Sequence, residues 1–324
     1  MNIVVTGAAG FIGSHVSHAL IDQGKSVIGI DNLNDYYDPQ LKQGRLEKLL
    51  PRSGFDFRRL DFSDRSALDT ALADKGAEIE TIVHLGAQAG VRYSIDHPYA
   101  YLQSNYAGHL NILELARRLP KLKHLVYASS SSVYGTSQRI PFALDDPADE
   151  PTSLYAASKR ANELMSMSYA GLYGIPQTGL RFFTVYGPWG RPDMAYYRFV
   201  SDAFQGLASP VYGDGSQRRD FSYIDDIVAG VLAAVDRPPQ GERPHRVYNL
   251  GNDRPNTLNR MIELIEAECG RAVMRNVLPV QPADVPATWA DISESKRDLG
   301  FEPRVPLEEG IQLFVKWYRD YKKL

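Results

Sequence analysis

Short runs of apolar, mostly β-branched residues alternate with longer stretches of helical hydrophobic period through the first half of the chain. A short continuous apolar run is typical of a strand buried on both faces, as in a parallel sheet. Alternating strands and helices predict a doubly wound parallel α/β sheet, whose ligands bind at the carboxyl ends of the strands. The predicted strands are Asn2 to Thr6, Ser26 to Ile30, Phe55 to Leu60, Thr81 to Leu85 and Leu122 to Ala128.

A glycine-rich turn follows the first predicted strand and opens the first predicted helix. It reads G-A-A-G-F-I-G, from Gly7 through Gly10 to Gly13, a spacing that suits a tight turn, an approaching diphosphate and close helix packing. The same turn can serve a purely structural connection, which the position of Asp31 disfavours. That carboxylate ends the second strand, where it can accept from both ribose hydroxyls. Because it would repel a 2′-phosphate, we predict NAD rather than NADP as the cofactor.

Polar and small residues also follow the later strands, at the edge where the cofactor is expected. Asp61 could meet the adenine amino group, and the small residues from Gly86 to Gly90 let the chain pass close to the cofactor. The fifth strand leads into S-S-S-S-V-Y-G, which at a strand's carboxyl end predicts a binding edge rather than a flexible turn. The further candidate cofactor contacts are Phe11, Ile12, Asn32, Asp61, Phe62, Leu85 and Ala87.

The segment from Thr152 to Gly174 predicts a helix, with Ser153 as its N-cap. Tyr155 and Lys159 are four residues apart, so they lie on one face of that helix. An ammonium beside a phenol lowers the phenol's pKa from about 10 and makes it usable as a general acid or base. Tyrosine and lysine at this spacing are also common on solvated helix surfaces, so the pair indicates catalysis only together with the other motifs.

Composition narrows the class of protein. The chain has 324 residues, of which 44% are hydrophobic and 23% charged, and its net charge is −3. These values are ordinary for a soluble globular protein and give no basic excess that would indicate nucleic-acid binding. The single cysteine, Cys269, excludes an intrachain disulfide, and no signal peptide or membrane-length apolar run is visible, so we expect a cytoplasmic protein. His15 and His18 share a helix face without a third ligand, so we predict no metal site.

These motifs, in this order, resemble the extended short-chain dehydrogenase/reductase family, and more narrowly its NAD-dependent nucleotide-sugar epimerases. The resemblance covers essentially the whole chain, through G-A-A-G-F-I-G, L-G-A-Q-A, S-S-S-S-V-Y-G, Y-A-A-S-K, R-F-F-T-V-Y-G-P, R-R-D-F-S-Y-I-D-D-I, Y-N-L-G-N and A-T-W-A-D. Within that group, G-V-R-Y-S (Gly90 to Ser94) and T-V-Y-G-P-W-G-R-P-D-M-A (Thr184 to Ala195) are most similar to UDP-glucuronate 4-epimerases.

The resemblance implies a Rossmann fold and a catalytic trio of Ser130, Tyr155 and Lys159. In such enzymes the tyrosine, as phenolate, takes the proton from the sugar 4-hydroxyl while C4 gives its hydride to tightly held NAD. The serine shares that proton, and the lysine binds the nicotinamide ribose. The 4-keto sugar then swings about its diphosphate and takes the hydride back on its other face. The expected reaction is therefore epimerisation of UDP-glucuronate to UDP-galacturonate.

The resemblance also implies the substrate contacts. Dehydratases of this fold carry an Asp–Glu pair where this chain has Ser131 and Ser132, and decarboxylases carry a Glu in the same stretch. The two serines and Thr184 would hold the sugar carboxylate by neutral hydrogen bonds without helping carbon dioxide to leave. The other expected substrate contacts are Ser130 at the reacting oxygen, Arg92 and Arg191 for charge balance, Val211 and Tyr212 beside the uracil, Arg219 at the diphosphate and Asp284 at the ribose.

The strand and helix pattern loosens after Arg181, which indicates a smaller, interleaved C-terminal domain. We expect residues 1–183 to form the NAD-binding domain, with residues 223–250 returning to it. Residues 184–222 and 251–324 would mainly form the nucleotide-sugar-binding domain. In the family, the helix with Tyr155 and the helix predicted from Pro98 to Arg118 pair with their mates across a two-fold axis, which implies a homodimer.

Several alternatives remain open. The substrate could be UDP-glucose or a UDP-N-acetylhexosamine, and the reaction could be decarboxylation of UDP-glucuronate. The chain could also be a reductase that uses free NAD(P)H, or a non-catalytic NAD-bound regulator, although a regulator would have no need of the catalytic trio. Arg92 and Arg191 could instead form salt bridges at a surface or hinge, and Arg219 could pair with its neighbour Asp220.

Overall fold

A seven-stranded parallel sheet lies at the centre of the computed structural model, which describes residues 2–280 and 285–324. The strands, in chain order, are β1 (Asn2–Thr6), β2 (Ser26–Asp31), β3 (Phe55–Arg59), β4 (Ile79–His84), β5 (His124–Ser130), β6 (Gln177–Phe182), β7 (Thr184–Tyr186), β8 (Ser209–Tyr212), β9 (Arg218–Arg219), β10 (Phe221–Tyr223), β11 (His245–Leu250), β12 (Asn256–Thr257) and β13 (Arg275–Leu278). The α-helices are α1 (Phe11–Asp22), α2 (Pro39–Leu49), α3 (Arg65–Leu72), α4 (Tyr93–Asp96), α5 (Pro98–Tyr101), α6 (Gly108–Arg118), α7 (Leu154–Tyr173), α8 (Ala195–Gln205), α9 (Ile224–Val235), α10 (Leu258–Cys269) and α11 (Leu307–Lys322).

The order of strands in the central sheet is β11-β6-β5-β4-β1-β2-β3, and every pair of neighbours is parallel. The order reverses between β1 and β4, so the connections after these two strands diverge and leave a crevice at the carboxyl edge of the sheet. The predicted doubly wound α/β fold is therefore confirmed.

Helices cover both faces of the sheet, which explains the continuous apolar runs of its strands. In β1, Ile3, Val4 and Val5 are all fully buried. Ile3 and Val5 pack into the cluster that contains α1 and α9, whereas Val4 packs into the cluster on the other face. Burial of such a side chain on either face stabilises the fold by roughly 1.5–3 kcal/mol.

The predicted helix around Tyr155 forms as α7. The Ser153 hydroxyl accepts a hydrogen bond from the Ala156 N–H at 3.1 Å, and Gly174 ends the helix in the left-handed conformation at φ 65°. The helix predicted from Pro98 to Arg118 differs from the prediction, because residues Leu102–Ala107 form a π-helical turn between α5 and α6. The wider turn directs Asn105 inward, where its amide bonds the backbone of Gln88 and the Ser158 hydroxyl.

Three two-stranded sheets extend beyond the carboxyl edge of the central sheet, and they pair β10 with β7, β12 with β9 and β13 with β8. Helices α8, α10 and α11 pack together beside them. Strand β11 pairs with β6 in the central sheet, and α9 packs against α1. The division of the chain into an NAD-binding and a sugar-binding domain stays a prediction.

No helix within residues 2–280 and 285–324 is both long and apolar enough to cross a membrane.

Candidate active site

A cavity of about 700 Å³ opens at the carboxyl edge of the central sheet, between that sheet and the smaller sheets. Its wall brings together most of the residues that the sequence singled out: Gly7, Gly10, Phe11, Ile12, Gly13, Asp31, Asn32, Phe62, Leu85, Ala87, Arg92, Ser130, Ser131, Ser132, Tyr155, Lys159, Thr184, Arg191, Tyr212 and Arg219. Asp61 and Val211 do not line it, and Asp284 lies outside the described residues.

The glycine turn is shaped for a close ligand. Gly7 has φ 70°, and a Cβ there would lie 2.9 Å from the Cα of Gly86 on the next strand connection. A Cβ on Gly13 would lie 2.0 Å from the Gly7 carbonyl oxygen, so neither position accepts a side chain. Helix α1 begins directly after the turn, and its first N–H groups have no helical acceptor. Such a turn fits the diphosphate of a dinucleotide.

Asp31 is held at the end of β2 by the backbone around it. Its carboxylate accepts from the Ala9 N–H at 3.1 Å and from the Leu33 N–H at 2.8 Å. Asn32 donates to Asp61 at 2.9 Å. Burial disfavours ionisation of Asp61, but hydrogen bonds from Ser63 and Asn32 outweigh it and lower the pKa of Asp61. Asp61 therefore stands one layer behind the cavity wall, where it orients Asn32.

The proposed base, its hydroxyl partner and the lysine meet at one end of the cavity. Burial raises the pKa of Tyr155, and both its hydrogen bond with Ser130 and the charge of Arg191 oppose that rise. The Lys159 ammonium donates to the Ala128 carbonyl of β5 at 3.0 Å. Ser130 and Arg191 are thus the groups that oppose the effect of burial on Tyr155, and the effect of Lys159 on the pKa of the phenol stays a prediction.

The pKa of Lys159 is itself shifted. Burial lowers its pKa to about 8, and the carboxylate of Glu163, one turn further along α7, acts in the opposite direction. Glu163 is 1% exposed and pairs with Arg181 through two hydrogen bonds of 2.8 Å. It also accepts from the hydroxyl of Ser129 at 2.6 Å. The network therefore ties the residue preceding Ser130 to the helix that carries Tyr155 and Lys159, a link that helix periodicity alone does not reveal.

The hydroxyl-rich turn after β5 and the start of β7 line the same cavity. Ser130 accepts from the Ser132 N–H at 3.2 Å, and its own hydroxyl donates to that of Ser132 at the same distance. Thr184 is half-buried at the start of β7 and lines the same cavity. The serine run and Thr184 thus present neutral hydroxyls within one cavity.

Two arginines reach the cavity from opposite sides. Arg191 forms a salt bridge with Asp193 at 3.0 Å, and Asp193 also accepts from the Tyr36 hydroxyl at 3.2 Å. The guanidinium of Arg92 lies 3.8 Å from the centre of the Tyr212 ring. The salt-bridge alternative for Arg191 is thus present in the structure, although the same side chain lines the cavity.

The two residues predicted to contact the uracil from strand β8 have side chains in different surroundings. Val211 is 1% exposed and packs in the core, whereas its neighbours Pro210 and Tyr212 line the cavity. Successive side chains of a strand point to opposite faces, so the side chain of Tyr212 faces the cavity and that of Val211 faces the core. A contact between Val211 and the uracil stays a prediction, which its backbone rather than its side chain would make.

Sequence reasoning missed a group of wall residues in the segment after β2 and in the first half of α2. Lys42 is buried, lines the cavity and donates to the Asn34 carbonyl at 2.8 Å. Burial lowers its pKa, while the nearby Asp31 raises it. Tyr36 and Asn34 line the same wall. The run N-D-Y-Y-D-P-Q-L-K, rich in polar and aromatic residues directly after the Asp31 strand, was the signal available in the sequence.

Among the described residues, no three His, Cys, Asp or Glu side chains are arranged as a metal site.

The model of the NAD dependent epimerase/dehydratase family matches residues 3–251. A probable UDP-glucuronate 4-epimerase of Rhizobium meliloti is 45% identical, over 100% of this chain and 98% of that protein. A crystal structure of UDP-glucuronic acid 4-epimerase from Bacillus cereus, in complex with UDP-glucuronic acid and NAD, superposes with a TM-score of 0.91 at 33% identity, covering 99% of this chain and 100% of that one. The UDP-glucose 4-epimerase of Thermotoga maritima, with UDP-glucose, superposes with a TM-score of 0.89 at 30% identity, covering 99% and 100%. The glycine turn, the Asp31 strand end and these similarities together show that the chain belongs to the NAD dependent epimerase/dehydratase family.

Proposed function

We propose that the protein interconverts UDP-glucuronate and UDP-galacturonate by NAD-dependent epimerisation at C4. The observation that carries this proposal is the meeting of Ser131, Ser132 and Thr184 with Tyr155 in one cavity. Relatives named for UDP-glucuronate support it, since their similarity extends over the full chain.

Each member of the trio has a separate role. Tyr155 takes the proton of the sugar 4-hydroxyl, and its hydrogen bond with Ser130 shares that proton and stabilises the developing oxyanion. Lys159 binds the nicotinamide ribose from its buried position beside Ala128. Bound NAD would supply the acceptor and donor of the C4 hydride. The glycine turn and Asp31 hold the cofactor's diphosphate and adenosine ribose, with Asn32, Phe62, Leu85 and Ala87 around them.

The sugar carboxylate needs particular handling, because a glucuronyl group oxidised at C4 is a β-keto acid that readily loses carbon dioxide. Ser131, Ser132 and Thr184 hold the carboxylate with neutral donors. The salt bridge between Arg191 and Asp193 leaves the guanidinium paired, so the carboxylate stays with hydroxyl partners. Tyr212 flanks the uracil, and the guanidinium of Arg92 lies over the Tyr212 ring. Arg219 binds the diphosphate. A role for Asp284 at the ribose stays a prediction.

Replacing Thr184 with valine tests the carboxylate site, because valine keeps the shape and removes the hydroxyl. A hydrogen bond to a charged group contributes about 1.5–3 kcal/mol, so we expect kcat/KM for UDP-glucuronate to fall on the order of tenfold or more. Residual activity on UDP-glucose should change little, and more UDP-4-keto-pentose should form by decarboxylation. Product analysis by NMR with both sugars measures all three.

The matched control is Thr136→Val, since Thr136 is exposed and bonds Glu150 outside the cavity. It should leave both activities unchanged. Equal losses on both sugars in Thr184→Val would mean that Thr184 shapes the pocket and does not bind the carboxylate.

We further propose that residues 1–183 and 223–250 form the NAD-binding domain and that residues 184–222 and 251–324 mainly form the sugar-binding domain. We also propose that the protein is a cytoplasmic homodimer. Apolar side chains on the π-helical turn and α7 support the dimer: Leu102 is 56%, Leu164 45% and Met167 49% exposed. Large exposed apolar side chains on adjacent helices are typical of an interface. Light scattering after gel filtration should give twice the chain mass, and a monomer at micromolar concentration would contradict the proposal.

A further inference from the structure

Arg45 of α2 is a buried cation to which the proposed mechanism gives no role. It is 2% exposed, and its guanidinium donates five hydrogen bonds. Three of them go to the loop after β7: Nε and Nη2 donate to the Trp189 carbonyl at 3.0 and 2.6 Å, and Nη2 donates to the Gly190 carbonyl at 3.3 Å. Nη1 donates to the Ala9 carbonyl at 2.9 Å and to the Tyr37 hydroxyl at 2.7 Å.

The carbonyl acceptors of Arg45 belong to two segments whose neighbouring residues line the cavity, Gly7 and Gly10 in one and Arg191 in the other. Ala9 is part of the glycine turn, and its N–H donates to Asp31. Trp189 and Gly190 directly precede Arg191, whose charge acts on Tyr155. One planar guanidinium thus joins the proposed cofactor turn, 36 residues before Arg45, to the loop that enters the proposed sugar site, 144 residues after it.

Helix α2 holds Trp189 in further ways. Trp189 has φ 62°, a left-handed conformation that a bulky residue adopts only when its surroundings impose it. A Cβ on Gly44 would lie 2.9 Å from the Trp189 ring, and the Lys48 ammonium lies 5.0 Å from the centre of that ring. Three residues of one helix therefore position Trp189, and Arg45 alone of the three also reaches the glycine turn.

We propose that Arg45 is a positioning residue that fixes the glycine turn and the Arg191 loop relative to each other, so that the cofactor and sugar sites form together. The inference rests on the proposed function for the identity of the two sites. Without the guanidinium, the carbonyl groups of Ala9, Trp189 and Gly190 would lose a common donor. Both walls would then loosen at once, and binding of both ligands would weaken while the chemical step, which uses other residues, would be largely kept.

The test compares Arg45→Met with wild type through two binding measurements that do not depend on turnover. NAD per chain is measured after gel filtration and denaturation, and the Kd of UDP is measured by calorimetry with NAD in excess. We expect the Kd of UDP to rise about tenfold, the usual size of a coupling between two sites, and the NAD retained per chain to fall clearly below that of wild type. At saturating NAD and UDP-glucuronate, kcat should stay within about threefold of wild type, because the loss is one of binding shared by ground and transition states.

Control variants separate this role from general destabilisation. Arg52→Met removes an arginine just beyond α2 that pairs with the exposed Asp22, so it should alter neither affinity. Gly44→Ala presses on the Trp189 ring without touching Ala9, so it should weaken UDP binding more than NAD binding. If Arg45→Met does not fold, Arg45→Lys, which reaches fewer acceptors, should show the same two losses in smaller degree.

Wild-type affinities for both ligands in a folded Arg45 variant would overturn the proposal, as would weakening of only one of them. Equal losses in Arg45→Met and Arg52→Met would also overturn it. If the wild type fails to turn over UDP-glucuronate, the proposed function fails, but NAD content and UDP affinity still decide the role of Arg45.

Discussion

Replacing Tyr155 with phenylalanine is expected to abolish nearly all turnover while the fold and the NAD content remain. The substitution removes one oxygen atom, and with it the general base that takes the proton of the sugar 4-hydroxyl, which Ser130 only shares through its hydrogen bond to that oxygen. Positioned acid–base catalysis contributes roughly 10²–10⁴-fold, so kcat should fall by that factor. The ring still packs edge-on against Tyr101, with centres 6.1 Å apart, so the surrounding helices should keep their arrangement.

A matched control is available on the surface. Tyr99→Phe makes the same chemical change at a side chain that is 81% exposed, and it should leave kcat unaltered. Steady-state rates with UDP-glucuronate, together with NAD measured after denaturation, check the prediction. A Tyr155→Phe protein with near-normal kcat would remove Tyr155 from the mechanism.

Glu163→Gln is expected to give the largest loss of stability. It leaves Arg181, whose side chain is 3% exposed, without its carboxylate partner. Breaking a buried ion pair by removing one member costs about 3–5 kcal/mol, because the remaining charge stays desolvated. The free energy of unfolding from urea titration measures the loss. Glu308→Gln makes the same change in an exposed pair with Arg260, where the expected cost is about 0–1 kcal/mol.

The same variant should move the pH profile. The pKa of Lys159 is lowered to about 8 by burial, and the charge of Glu163 opposes that fall. The ammonium form is present below that pKa and is lost as pH rises through it. Removing the Glu163 charge lowers the pKa further, so the alkaline fall in kcat should begin at lower pH than in wild type. A variant that loses stability but keeps the wild-type profile would show that Glu163 acts on packing alone.

The parts of this site that the sequence predicted are those encoded by neighbours in the chain. The β1 run, the Gly7 to Gly13 turn, the Asp31 strand end and the capped helix of Tyr155 each depend on residues a few positions apart. Side-chain periods and turn conformations act over the same distance, so reading them locally was sufficient.

What the sequence did not predict depends on contacts between distant segments. The direction of the Lys159 ammonium is decided by β5, and the Arg45 bonds to Trp189 by the packing of α2 on the loop after β7. The side chains of β8 show the same limit, since a shift of one residue in a strand exchanges the face to the core for the face to the cavity. No pattern in this short strand determines that Val211 faces the core and Tyr212 the cavity.

The central claim is tested most directly by incubating the purified protein with UDP-glucuronate, without added cofactor, and following the products by NMR. We expect UDP-galacturonate to form until the two sugars reach equilibrium, NAD to be recovered from the denatured protein, and UDP-glucose to react more slowly. Faster conversion of UDP-glucose, or UDP-4-keto-pentose as the main product, would contradict it.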